Sequence, residues 1–349
     1  MRRLLLALLF SAVCGPPAAA EVKSFRDWIA ACDNTKSCTA YALRENAIGA
    51  WLRLEREGLP AAALRIIVMV DMAKDRRFTL AFDDPAAEGL PRQAIAPAGG
   101  DELTRVEIVA VEPFLAALRK ATRILVKPVE PKPDDEPIEI SLSGASAALL
   151  WIDEQQKRLG TVTALVRRGD RPQSAVPAPP PRPVVTAAKR GAGAPPKTLP
   201  PAVLAKGKTI CGDDDRNPEP GETNRLSGDI ILYWFGCRQM SGAYNMWSGL
   251  IVAPERQPQA ARVVQLPYPP GEVAITGISK RLIVNGSLDE KTLTLTMFGK
   301  GRGPGDCGTS GEWVWDGKEF RLTVFRSMPK CGGLLSEDWP VIYRAQVRR

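Results

Sequence analysis

The sequence predicts a mainly β protein with a few helices, built as two β-rich, sandwich- or barrel-like domains joined by a Pro-rich linker. Three observations carry this. Most apolar residues fall in short β-branched or aromatic runs bounded by charge, Gly or Pro. Six of the seven cysteines form three close sequence pairs. Residues 171–201 hold 10 of the chain's 31 prolines and few large apolar side chains, too little apolar surface to offset the entropy of ordering a core.

From the N-terminus, residues 1–20 read as an export signal. Arg2 and Arg3 form a basic start, LLLALLFSAVC is an apolar run too short to span a bilayer, and Ala18 to Ala20 offer small residues for cleavage between Ala20 and Glu21. Acylation at Cys14 is the competing reading, but Ser11-Ala12-Val13 is a poor lead-in to that site. The mature chain has no apolar run of the ~18–20 residues that a membrane-crossing helix needs. Loss of the signal removes Cys14 and leaves an even set, which in an exported protein reads as disulfides. The expected pairs are Cys32–Cys38, Cys211–Cys237 and Cys307–Cys331.

Residues 21–170 form the first predicted domain. LRIIVMVDMAK and RRFTLAF read as buried strands, EPFLAALRKA as a helix, and ATRILVKPVE with EPIEISLS as a strand pair. SGASAALLWIDEQQKRLG carries apolar residues at helical spacing, with Ser143 placed to cap its start and Gly160 to allow a left-handed exit. TVTALVRR is expected to close the domain as a strand. Residues 171–205 follow as an extended, semi-rigid spacer.

Residues 206–349 read as all-β. DIILYWFGC, YNMWSGLIVAP, RLIVNGSL and TLTLTMFG are strands, and EWVW-DGKE-FRLTVF is a hairpin turning at Asp316-Gly317. Cys307 and Cys331 flank that hairpin.

The net charge of +8 does not point to nucleic acid. Arg2 and Arg3 contribute two, and the stretch from Arg167 to Lys208 holds nine cations against Asp170, a net +8. The rest of the mature chain is therefore near −2, and neither folded part is basic. The linker is a solvated charged segment, or one attracted to an anionic envelope polymer or surface.

Several strings resemble the bacterial domain-of-unknown-function family 1176: FRDWIAACDNTKSCTAYAL, GAWLRLERE, LSGASAALLWIDEQQKRLGTVTALVRRG, SGAYN, GRGPGDCGTSGEWVWDGKEFRL and DWPVIYR. The likeness covers nearly the whole mature chain and implies an exported envelope protein, with no activity to carry over. The N-terminal half is also similar to invasion-associated locus B proteins, through FRDW with its following cysteine and PFLAALRKATRILVKP with ISLSGASAAL. That likeness implies a β-sandwich with peripheral helices; the later cysteines of that family are absent here.

The chain has no His, which excludes His-based triads and His-ligated metals. G-x-S-x-G, the P-loop and C-x-x-C are absent, and Gly301 to Gly305 lead into Cys307 as a turn. Ser327-Met328-Pro329-Lys330 fits S-x-x-K, but Pro329 breaks the helical turn that motif needs. Asp213, Asp215 and Asn217 alternate like calcium ligands, yet Pro218 and Asn224 stand where such a loop needs Gly and Glu.

Tyr244 and Trp247 in SGAYNMWSG are the candidate binding residues. S-G-x-Y resembles a phrase of envelope lysozyme inhibitors, although aromatics on a strand more often serve the core; the same holds for Trp313 and Trp315. The chain is thus expected to be a periplasmic or secreted protein, without cofactor or catalytic residues, that binds an envelope protein or polymer. The alternatives are a lysozyme-inhibitor-like binder and a hydrolase with an unrecognised carboxylate pair.

Overall fold

The computed structural model describes residues 21–44, 49–73, 75–98, 103–133, 135–136, 138–212, 218–269 and 280–349. The expected signal and the calcium candidates Asp213, Asp215 and Asn217 lie outside these residues. Among them the chain is mainly β, with three α-helices.

The N-terminal strands are β1 (Glu21–Phe25), β2 (Trp28–Cys32), β3 (Cys38–Ala42), β4 (Ala50–Arg56), β5 (Arg65–Val70), β6 (Phe78–Phe82), β7 (Thr104–Glu107), β8 (Arg123–Pro128) and β9 (Ile138–Ser141). Two helices accompany them, α1 (Val111–Ala117) and α2 (Ala145–Gln155). An antiparallel sheet runs β1-β2-β3-β4-β5-β7, beside a smaller sheet β6-β8-β9.

Strand periodicity assigns each residue of the large sheet to a core. Even-numbered residues of β2 to β5, such as Trp28, Ala40, Leu52 and Ile66, pack with α1, α2 and the smaller sheet. Odd-numbered Ile29, Tyr41, Trp51, Ile67 and Met69 pack instead with Cys307, Met328, Leu334 and Trp339 from the far end of the chain. This is why β5 is apolar at every position after Arg65: it is buried on both faces.

Three local expectations needed revision. Ser143 does not cap α2; Gly144 occupies that place with φ +108° and makes no side-chain cap. A Cβ on Gly144 would lie 1.9 Å from Phe25 O, so close approach of backbone decides the residue. Gly160 is left-handed as expected (φ +73°), but helix α2 ends earlier, at Gln155, and Lys157 takes the left-handed conformation first. TVTALVRR is not a strand, because Leu165 and Val166 turn their amides onto the buried Asp153 carboxylate.

The Pro-rich stretch is extended and held along its length. Pro179 lies against Gly58 of the β4–β5 loop. Strand β10 (Val184–Thr186) then pairs in parallel with the last strand of the chain. The amide of Ala188 donates to Trp315 O and that of Gly191 to Leu226 O, before α3 (Pro201–Gly207), which has Pro at its first position.

The remaining strands are β11 (Glu219–Arg225), β12 (Ile230–Cys237), β13 (Trp247–Pro254), β14 (Arg262–Val263), β15 (Leu282–Val284), β16 (Ser287–Asp289), β17 (Thr294–Lys300), β18 (Gly308–Trp315), β19 (Phe320–Met328), β20 (Val341–Arg344) and β21 (Gln346–Arg348). Strands β11-β12-β13-β14, with β15 also on β13, form one sheet, and β16-β17-β18-β19-β20 another. Leu232, Trp234 and Val252 of the first meet Leu295, Trp313, Trp315 and Phe325 of the second, a β-sandwich core. The other face of the first sheet, with Ile231, Tyr233 and Phe235, is covered by Val203 of α3 and by Ile210.

RLIVNGSL is two strands, split where Asn285 (φ +43°) and Gly286 turn the chain. Ser327 and Met328 of the S-x-x-K string are buried on β19. The disulfides are Cys32–Cys38, Cys211–Cys237 and Cys307–Cys331, with Cα separations of 4.0, 5.5 and 4.6 Å.

Polar groups stitch the two ends of the chain together at the odd-numbered face. Trp51 Nε1 donates to Gly332 O at 2.6 Å, and the Tyr41 hydroxyl donates to Asp338 O. The Asp338 carboxylate receives Arg53 at 3.0 Å and Arg105 at 2.8 Å. The Cys32–Cys38 loop adds a second seam, where Asn34 exchanges two hydrogen bonds with the Arg344 backbone and Asp33 pairs with the Arg344 side chain.

Candidate functional site

The candidate binding residues sit on the loop 238–246 between β12 and β13. Its base is fixed by Cys211–Cys237. The Ser241 hydroxyl donates to Cys237 O at 2.8 Å and accepts the Trp247 amide at 2.9 Å, so both ends of the loop are held together. Gly242 N donates to Asn245 O, closing a tight turn at the tip.

Two asparagines then anchor this loop to its neighbours. Asn245 Nδ2 donates to Lys300 O at 2.9 Å while its Oδ1 accepts the Lys300 amide at 3.0 Å. Asn285 Nδ2 donates to Tyr244 O, Asn245 Oδ1 and Phe298 O, and its Oδ1 accepts the Met246 amide. Asn is suited to that place because its short amide tolerates the left-handed backbone and reaches nearby peptide groups.

Above this base the loop exposes apolar side chains. Met240, Tyr244 and Met246 are 43%, 42% and 57% exposed. Trp247 is half-buried and packs against both C-terminal cores, so it supports the loop rather than extending from it. Sequence reading found Tyr244 but missed Met240, Met246 and both asparagines. The signal for Asn285 was present in Asn285-Gly286, a strong turn dipeptide.

A second cluster groups Asp306, Cys307 and Cys331, whose potential ligand atoms lie within 4.8 Å of one another. Both sulfurs are joined to each other, and Asp306 receives Arg302 and the Gly333 amide. The hydrogen bond from Arg302 brings the Asp306 carboxyl from 3.8 to about 2. The folded state therefore favours its ionised form, and the stability this adds is complete above about 4 and fades as pH falls toward 2. Asp306→Asn is expected to flatten the acid limb of a melting-temperature profile between pH 5 and 2; an unchanged limb would remove Asp306 from it.

The buried carboxylates Asp33, Asp153, Asp306 and Asp338 are each bound to arginine: Arg344, Arg56, Arg302, and Arg53 with Arg105. Their partners explain them as structural ion pairs.

No helix among the described residues is long and apolar enough to cross a membrane. Among solved structures, the chain is similar to invasion-associated protein B from Bartonella henselae, at 14% identity and a TM-score of 0.28, over 39% of this chain and 99% of that one. Among curated proteins it is 28% identical over 351 residues to the uncharacterized protein YpfG of Escherichia coli (strain K12), covering 93% of each. The family described as protein of unknown function (DUF1176) matches residues 22–346. With all but its two ends inside that match, the chain belongs to the DUF1176 family.

Proposed function

We propose that this is a non-enzymatic binding protein, periplasmic or secreted, that presents its 238–246 loop to another exported protein or envelope component. One observation carries the reading: three exposed apolar side chains, Met240, Tyr244 and Met246, stand on a loop whose backbone is pinned by Asn245, Asn285 and Ser241. A loop ordered before binding loses little entropy on binding. Tyr and Met are enriched in interface cores, and Met adapts to irregular partners. Three disulfides suit an oxidising compartment outside the cytoplasm. In this reading residues 1–20 direct export, 21–170 and 206–349 are the two modules, and 171–205 straps them together.

The test is capture of cross-linked partners from the native envelope by the full mature chain and by Tyr244→Ala. The expected result is a specific partner whose capture falls at least roughly tenfold in the variant, as for an interface anchor worth above about 1.4 kcal/mol. The variant should melt like the parent, because Tyr244 is exposed. Equal capture by both proteins would overturn the role of the loop.

A lysozyme is the specific partner to try first, since Ser241-Gly242-Ala243-Tyr244, at the turn of the loop, resembles a phrase of envelope lysozyme inhibitors. Inhibition of hen lysozyme by the parent, lost in Tyr244→Ala, would support this reading. No inhibition at micromolar concentration would exclude that enzyme as partner.

A further inference from the structure

The strap and the C-terminal sandwich enclose a cleft of about 580 Å³, away from the 238–246 loop. Val184 and Thr186 of β10 line it together with the apolar Tyr268, Leu322 and Tyr343 and the charged Asp316 and Arg321. The Tyr268 ring is set edge-on against Trp313 and Phe325 at 5.4 and 5.6 Å.

The backbone of β10 gives this cleft its chemistry. Gln346 N donates to Pro183 O at 2.7 Å and Ala187 N donates to Arg348 O at 2.8 Å. In a parallel pair with Val184 opposite Gln346, those bonds make Val185 the residue that turns both peptide groups toward β21. Val184 and Thr186 therefore turn theirs to the other edge. Among the described residues no strand pairs with that edge. It carries no charged side chain of its own, and Val184 is 49% exposed. Strand edges in native proteins are usually covered or guarded.

Charge selects the kind of chain that fits. Arg182 and Lys189 flank β10, and Arg348 stands opposite Thr186. All three are exposed, and among the described residues they have no ion pair. Arg321, by contrast, is already matched by Asp316 and Glu319.

We propose that this cleft is a docking site for an extended, acidic segment of another polypeptide, which adds as a strand to the free edge of β10. Its backbone bonds Val184 and Thr186, alternate side chains enter the Tyr268–Tyr343 cleft, and its carboxylates face Arg182 and Lys189, with Arg348 adding positive charge one strand further away. A strand also offers donors to the outward carbonyls of Val184 and Thr186 at the spacing of a β-ladder, which the rings alone do not demand.

The probe is an acetylated, amidated octapeptide alternating valine with glutamate, added to the full mature chain and followed by amide hydrogen exchange. Exchange at Val184 and Thr186 is expected to slow at least about tenfold at saturation, with Val185 unchanged because it is already bonded. Thr186→Pro removes an outward donor and leaves the β21 ladder intact, so affinity should fall roughly five- to tenfold, the worth of one hydrogen bond. Arg182→Glu with Lys189→Glu, both on the surface, should weaken binding and remove its fall with added salt, because repulsion replaces attraction.

Four results would overturn the proposal. Both amides could be protected already in the free protein, leaving no edge to fill. They could remain unprotected at millimolar peptide. Or chitotetraose could occupy the cleft in place of the peptide, which would make it a glycan site. Binding to the double charge reversal with undiminished affinity and salt dependence would equally overturn the acidic preference.

Discussion

Asp153→Ala is expected to destabilise the protein by about 3–5 kcal/mol, the cost of removing one partner from a buried ion pair. Asp153 is fully buried, receiving Arg56 at 2.8 Å on one oxygen and the Leu165 and Val166 amides at 2.7 and 2.9 Å on the other. Arg158, also fully buried, lies in the same network. It donates to Gln156 Oε1, Pro60 O, Thr163 Oγ1 and Leu59 O. Burial and the like charge of Arg56 push Arg158 down to about 10 against the pull of Asp153. Without Asp153 two buried guanidinium groups lie together without its carboxylate, and residues 158–168 lose the acceptor that shapes them. Asp153→Asn keeps an acceptor and should cost less. Urea unfolding measures both; a loss below about 1 kcal/mol for the alanine variant would show that water or a rearranged loop replaces the carboxylate.

Trp339→Ala is expected to cost about 3–5 kcal/mol, as large aromatic truncations in a core do. The indole is buried against the odd-numbered face of the large sheet, 5.6 Å from the Phe298 ring, and donates to Leu334 O at 2.9 Å. It fixes the segment that delivers Gly332 O to Trp51 and the Asp338 carboxylate to Arg53 and Arg105. Because those contacts join residues 233 to 285 positions apart in the chain, the variant should also become sensitive to protease between Cys331 and Pro340. Calorimetry with limited proteolysis checks both. A lowered melting temperature without new cleavage would mean that the polar seam alone holds the segment.

What the sequence revealed, and what it hid, follows from the range of the interactions. The strands, the hairpin at Asp316-Gly317 and the family likeness rest on local patterns, and these were legible. The fate of 161–168 was not, because TVTALVRR has strand composition and only the distant geometry of Asp153 pulls its amides aside. Nor was the contact between the two ends legible: Tyr41, Trp51 and Arg53 look like an ordinary mixed strand face until Trp339 and Asp338 arrive opposite them. On the candidate loop, Tyr244 was visible as an aromatic in a turn-rich phrase. Asn285, which holds it, is 41 residues away and reads from sequence only as a turn.

The division of the large sheet between two cores also sets which changes in chain length the protein can absorb. Within β4 or β5, gaining or losing one residue would send Trp51 or Met69 toward α2 and bring Leu52 or Val68 onto Trp339, exchanging the contents of both cores at once. A change of two residues restores every assignment beyond it and leaves only the adjoining loop to adjust. Length variation in this region should therefore come in even steps inside the strands and in any step within the loops.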